Sequence, residues 1–450
     1  MMNDSPGSPL PSAGAVDELP AAPSLRSITF ERPPMSEHGL LDYVVRDDSF
    51  VWGRRGNGMV GFGEAARFAS SGPGRFAEAR AWWDAVVRAA ESRNDAGLPG
   101  SGPVAFASFS FSFTSARPSR MIVPEIVVGR RDDASWLTYT TSDPDAELSV
   151  AAAEARLATL LDDVSVEHEL GEGGDRLVEG QVSEDGYRAH VAAGVEAIKA
   201  GRLTKLVLAR DAVAELSAPI AVAQVLRELA LRYADCWTYS VDGLIGSTPE
   251  MLVQVEGDTA RARVLAGTLD RATAPAGEPG YARRMLSGDE KQRHEHSLAI
   301  DSLTEQLGPL VTGMNSPKEP FVLELPNVWH LASDVEARLS VGADGTRPSA
   351  LDLAEVLHPT AAVCGTPTEA AGALIRQLEG MDRGPYAGPV GWVDAAGNGE
   401  FGIALRGGVV ETPTRVRLYA GCGIVAASDP EAELAESWAK MRPMREALNL

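Results

Sequence analysis

The stretch PVAFASFSFSF (Pro103 to Phe113) reads as β-prone, and SWLTYTT (Ser135 to Thr141) is a second piece of the same kind. Turn residues separate such pieces from about Ser27 to Leu161, and one helical pattern interrupts them near Arg75 to Ser92. Strands and helices without a regular βαβ alternation predict an α+β fold. Outward from there, Met1 to about Ser24 is rich in Pro, Ser, Ala and Gly and reads as a flexible tail. On the other side, LGEGGDRLVEG (Leu170 to Gly180) reads as a surface connection between two halves of one domain, about 25–170 and 181–450. Beyond it the pattern predicts helices at Ser183 to Ala200 and Ile220 to Tyr233, with strands at Lys205 to Arg210, Trp237 to Ile245, Leu252 to Glu256 and Arg261 to Leu265. A long helix follows near Ala282 to Gly308. Strands at Val390 to Val393, Phe401 to Leu405 and Val416 to Ala420 lead to a closing helix from Asp429.

Composition narrows the function. The chain has 450 residues, 41 Lys and Arg against 63 Asp and Glu, and a net charge of −22, so its surface repels nucleic acid and anionic lipid. An acidic protein that takes an anionic ligand must bring a metal, local cations or backbone NH groups to the site. Cys236, Cys364 and Cys422 form no CxxC pair, which argues against a disulfide framework or cysteine zinc site. With no spanning segment and no signal-peptide layout, the expected location is the cytoplasm.

Acidic residues on two helices draw the eye. Ala299, Leu303 and Leu307 form an apolar stripe, and four residues back from Ala299 lies Glu295, a costly place for a carboxylate unless a cation meets it. On the closing helix Asp429 suits the cap and Pro430 the first turn. Glu433, Glu436 and Lys440 share one flank of that helix, where Glu436 and Lys440 could equally be an ordinary surface pair. Carboxylates without His or Cys are the ligand set of Mg²⁺. Two patterns are decoys. Gly56 to Gly61 satisfies GxGxxG but follows no aliphatic strand, so it reads as a turn. His294-Glu295-His296 is not a zinc motif, because residues two apart on a helix diverge, and the histidines read as solvated or as supporting neighbours.

Nine ordered blocks resemble the chorismate-utilising enzymes, which share the anthranilate synthase component I fold. They are KLVLAR (Lys205 to Arg210), GSTPEML (Gly246 to Leu252), LAGT (Leu265 to Thr268), KQRHEH (Lys291 to His296), LPNVWHL (Leu325 to Leu331), HPTAAVCGTP (His358 to Pro367), RGPYAGPVGW (Arg383 to Trp392), FGIALRG (Phe401 to Gly407) and AGCGIVAASDPEAELAESWAK (Ala420 to Lys440). The resemblance implies large antiparallel sheets in a sandwich core surrounded by helices. It also implies Mg²⁺ held by Glu295 and Glu436, with Glu433 acting through a bound water. Lys205 would activate water for attack on ring carbon 2 while Glu250 protonates the departing 4-hydroxyl, which requires the lysine's pKa lowered and the glutamate's raised. By the same resemblance Arg406 and Tyr386 hold the enolpyruvyl carboxylate near the NH groups of Gly421 and Gly423. Thr268 and His330 are ring-side contacts, Ala362 lines the pocket, and Lys440 neighbours a carboxylate.

Within the family, Lys205 argues against the ammonia-adding branches, and Ala266 stands where aminodeoxychorismate synthases carry a lysine. The implied reaction is conversion of chorismate to isochorismate, for menaquinone or siderophore biosynthesis. The alternative is a salicylate synthase, whose members tend to have threonine at Ala362. The expected protein is a monomer with no amidotransferase subunit. Gln292, in place of an acidic residue, and Leu269-Asp270, in place of Arg-Pro, depart from the family pattern.

Overall fold

The computed structural model describes residues 22–36, 38–162, 174–275, 278, 280–343 and 345–450. Most of the expected N-terminal tail and the first part of the 170–180 connection lie outside them. Among the described residues thirteen strands form one sheet and ten another. The larger runs Arg176–Glu179, Lys205–Glu215, Arg415–Ile424, Gly407–Thr412, Leu244–Thr248, Trp237–Val241, Phe50–Arg54, Asn57–Phe62, Ile126–Arg131, Ala134–Thr141, Arg26–Arg32 and Glu91–Asn94, with Gly365–Thr366 added beside Lys205–Glu215. The smaller runs Val311–Asn315, Val328–Leu339, Thr259–Asp270, Met251–Glu256, Gly399–Ile403, Pro389–Asp394, Val104–Ser108, Ser119–Val123 and Ala66–Ser70, with Phe321–Glu324 added beside Val328–Leu339. All pairings are antiparallel except that of Arg26–Arg32 with Glu91–Asn94. Both sheets contain strands from both halves of the sequence.

One apolar cluster joins the facing sides of the sheets through Trp52, Phe106, Leu208, Tyr239, Val253 and Phe401. The indole NH of Trp52, in the larger sheet, donates to Glu400 in the smaller one at 2.7 Å, so that polar tip is satisfied across the core. A second cluster covers the outer face of the larger sheet. There Leu157 and Leu160 (helix Val150–Asp162), Leu226 and Leu229 (helix Val222–Arg232) and Met441 and Met444 (helix Pro430–Ala447) pack on Val60, Val128, Leu137 and Leu418. This sandwich with helices outside is the expected α+β architecture. No helix among the described residues is long and apolar enough to cross a membrane. The three cysteines are free and buried.

Several elements differ from the sequence reading. Trp237 to Ile245 is not one strand but a hairpin, turning at Asp242 (φ 51°) and Gly243 (φ 80°). An Asp-Gly pair between apolar runs favours that two-residue turn. The Gly56 decoy is another, with Arg55 at φ 50° and Gly56 at 74° joining Phe50–Arg54 to Asn57–Phe62. The long helix is two, Tyr281–Gly288 and Glu290–Leu307, because Gly288 is a poor helix former and Asp289 caps the second by accepting from the Gln292 NH. The segment Arg176–Glu179, expected as connection, is an edge strand on Lys205–Glu215.

Two of the places where the chain crosses between the sheets are adjacent corners. Pro249 and Glu250 link Leu244–Thr248 to Met251–Glu256, and Ala404 to Arg406 link Gly399–Ile403 to Gly407–Thr412. The corners are bonded to the opposite strands, Ile403 NH to Glu250 O at 3.1 Å and Ser247 NH to Arg406 O at 3.3 Å. Arg406 occupies φ 51°, a conformation that costs a non-glycine residue about 1–3 kcal/mol and persists where the surroundings hold it.

Candidate active site

A cleft lies at these corners. Of the residues picked out by sequence, Glu250, Thr268, Glu295, His330, Ala362, Tyr386, Arg406, Gly421, Gly423 and Lys440 line it. Lys205, Glu433 and Glu436 stand behind that lining. Lys205 begins its strand wholly buried, with its ammonium 3.3 Å from Glu295 Oε1 and no well-aligned hydrogen bond. Glu295 lies on the stripe that runs on through buried Ala299, Leu303 and Leu307, and is itself only 13% exposed.

The two glycines are there because side chains occupy the space a Cβ would take. A Cβ on Gly423 would sit 2.2 Å from Glu295 Oε1 and 3.1 Å from Lys205 Cε, and one on Gly421 would be 3.2 Å from the Tyr386 hydroxyl. On the closing helix, Asp429 caps as expected by accepting from the NH groups of Glu431 and Ala432. Glu436 then meets Lys440 at 2.6 Å, and the same ammonium donates to the Gly421 carbonyl at 2.9 Å. That pair is part of the site, not surface decoration.

Burial sets the electrostatics. It pushes the Glu250 carboxyl up to about 7, against the opposing pull of Lys205, Arg406 and Lys440. Burial also drives His330 well below its usual range, helped by the charges of Arg406 and Lys440. For Lys440, burial acts downward, but Glu436 and the neighbouring Cys422 outweigh it and hold the ammonium above its ordinary value. Tyr386 is pushed up to about 12 by burial, so it is a neutral hydroxyl near pH 7.

Oxygen ligands for a hard cation are present. Carboxylates of Glu433 and Glu436 come together with the Cys422 thiol within 4.8 Å of one another, among the described residues. Cys422 donates to the Glu433 carbonyl at 3.3 Å, and burial keeps its thiol well above the usual value. Glu295 is outside that cluster and approaches the same Gly421 to Gly423 strand end from the other helix, over Gly423. The donor set on either side of this strand suits Mg²⁺. The histidines flanking Glu295 are unlike each other. His294 is exposed, whereas His296 is buried against Ser333 Oγ at 2.8 Å, so it is not solvated, and burial lowers it to about 4.

Sequence reasoning missed Tyr419 and Arg383, which also line the cleft. Tyr419 stacks on Tyr386 with centroids 5.1 Å apart and rings 10° from parallel. It stands two residues before Gly421, so strand alternation puts it on the same face. Arg383 is buried in an ion pair with Glu379 and donates to the Val207 and Val363 carbonyls at 2.8 and 3.0 Å.

The fold brings an elevated carboxyl, an arginine and a tyrosine to one cleft, with a buried lysine behind it, and this is the layout of an enzyme active site. The chain belongs to the chorismate binding enzyme family, whose pattern matches residues 17–449. Isochorismate synthase DhbC of Bacillus subtilis (strain 168) is 36% identical over 275 residues, which are 59% of this chain and 68% of that protein. The structure of MenF, the menaquinone-specific isochorismate synthase from Escherichia coli, has the same fold, with a TM-score of 0.74 at 24% identity and 96% of each chain covered. Anthranilate synthase component I from Streptococcus pneumoniae TIGR4 shares the fold as well, with a TM-score of 0.61 at 20% identity over 98% of this chain and 95% of that one.

Proposed function

We propose that the protein converts chorismate to isochorismate, as an Mg²⁺-dependent isomerase. The observation that carries this is the pairing of a carboxyl lifted to about 7 at Glu250 with a fully buried amine at Lys205 around one cleft. Moving a hydroxyl from ring carbon 4 to carbon 2 needs one proton removed from the incoming water and one given to the departing hydroxide. Lys205 takes the first. Glu250 gives the second, which a carboxyl at its ordinary value of 4.5 could not do effectively near pH 7. Both protons are accounted for, and the ring double bonds shift with no net oxidation.

Arg406 and Tyr386 receive the enolpyruvyl carboxylate, Arg406 with a planar donor fork and Tyr386 as a neutral donor. Gly421 and Gly423 let the substrate come against the main chain, and Ala362 leaves room at the ring edge. Glu295 and Glu436 would hold Mg²⁺, with Glu433 behind Glu436, and the ion would supply positive charge for the ring carboxylate. The similarity to isochorismate synthases supports the same reading. Incubation with chorismate and Mg²⁺, with and without EDTA, followed by chromatography, tests it. Isochorismate formed reversibly and lost with EDTA is the expected result. Salicylate with pyruvate would instead identify a salicylate synthase, and unreacted chorismate would refute both.

A further inference from the structure

His330, Thr268 and Arg406 are bonded in a row, and the chemistry of the atoms decides the direction of every hydrogen. A guanidinium has donors and no acceptor. Arg406 NH2 lies 3.0 Å from His330 Nε2, so that nitrogen accepts, and the single ring proton of His330 is on Nδ1. Nδ1 in turn has Thr268 Oγ1 at 3.2 Å and the Gly267 carbonyl at 3.3 Å. Since the imidazole donates to it, the Thr268 oxygen keeps its own hydrogen for a different partner. Among the described residues His330 is the only partner of that hydroxyl, and Thr268 lines the cleft.

Thr268 is also held in place from behind. Its strand bulges between Ala266 and Thr268, where Gly267 takes φ 86°, and Gln292 Oε1 accepts the Thr268 NH at 3.0 Å. Gln292 is therefore a positioning residue for Thr268.

We infer that Arg406, His330 and Thr268 form a one-way donor relay that presents the Thr268 hydroxyl hydrogen to the cleft. The site thereby selects a ligand group that accepts a hydrogen bond, such as a hydroxyl or ether oxygen, over an ammonium that can only donate. On the proposed function, on which this second half rests, the accepting group is a ring oxygen of chorismate, and the disfavoured ligand is an analogue with a ring amine in its place. His330 acts by orienting Arg406 and polarising Thr268, and is no proton donor in the reaction.

Two measurements test this. Long-range ¹H–¹⁵N correlation on the labelled protein, with His330→Gln assigning its signals among seven histidines, reads the tautomer without any substrate. A neutral ring protonated on Nδ1, unchanged across the pH range around 6.5 where free imidazole titrates, is expected. An Nε2-protonated ring or an imidazolium at neutral pH overturns the relay. The second measurement compares KM for chorismate with Ki for 4-amino-4-deoxychorismate. Thr268→Val is expected to weaken chorismate about tenfold, the factor expected for one hydrogen bond, with a smaller change in kcat, and Thr268→Ser to restore it. If the valine variant discriminates as well as the native protein, the selectivity claim is wrong. A native protein that turns over no chorismate would remove the proposed function while leaving the tautomer result standing.

Discussion

Lys205 and Lys440 each face a carboxylate at the Gly421 to Gly423 strand end, and they are not equivalent. Lys440 is tied by Glu436 at 2.6 Å and by the Gly421 carbonyl at 2.9 Å, so its charge is fully used in holding the closing helix to the strand. Lys205 has Glu295 at 3.3 Å without a well-aligned hydrogen bond, and it is wholly shut off from solvent. The first arrangement fixes a cation between two acceptors, whereas the second gives Lys205 a single carboxylate neighbour. On the proposed function, that difference in the number of acceptors separates a structural lysine from a chemical one.

The sharpest way to break this contrast is to truncate each lysine. Lys205→Ala should lower kcat by about 10²–10⁴-fold with a folded protein, read by product chromatography and circular dichroism. Glu250→Gln should cost a similar factor while raising Tm. Its folded value near 7 against an ordinary 4.5 means that the stability it permits is complete below 4.5 and is lost as pH rises through 7. Removing the charge should therefore recover up to about 3 kcal/mol above neutrality and nothing below 4.5. An unchanged Tm at alkaline pH would refute the elevated carboxyl.

Gly423→Ala should displace Glu295 from Lys205 and cost about 10²-fold in kcat, the scale of a misplacement near 1 Å. Lys440→Met should act mainly on the fold, lowering stability by about 1.5–3 kcal/mol through loss of the ion pair with Glu436 and of the hydrogen bond to the Gly421 carbonyl, as measured by urea unfolding. If it abolished turnover at full stability, the division between the lysines would be wrong. The mildest expectation concerns pH. The alkaline limb of kcat/KM should fall with a midpoint near 7, because Glu250 must be protonated to donate, and Glu250→Gln should remove that limb.

Much of the architecture was legible because strand and helix periodicity survives wherever one face is buried. The cap at Asp429 and the stripe behind Glu295 were read from spacing alone. The strand Val328–Leu339 was missed although its second half alternates cleanly, with Val335, Ala337 and Leu339 buried and Asp334, Glu336 and Arg338 exposed. Its first half is covered on both sides and has no period to read. The site was legible in a different way. Spacing singled out Glu295, Glu433, Glu436 and Lys440, but Lys205, Glu250 and Arg406 came only with family resemblance. Their local sequence carries no sign that the chain changes sheets at Glu250 and Arg406, since that depends on strands hundreds of residues apart.

That interleaving also governs how the molecule comes into being. Lys205–Glu215 pairs along ten residues with Arg415–Ile424, and Phe50–Arg54 pairs with Trp237–Val241. During synthesis the earlier partner in each pair waits as an open edge for the later one, and the larger sheet is not fully paired until residues 415–424 have left the ribosome. Assembly is accordingly a late event dominated by distant contacts, which is slow and exposes unpaired edges to neighbouring chains. A nascent chain arrested before residue 415 therefore has a β-sandwich's aggregation hazards without its protection.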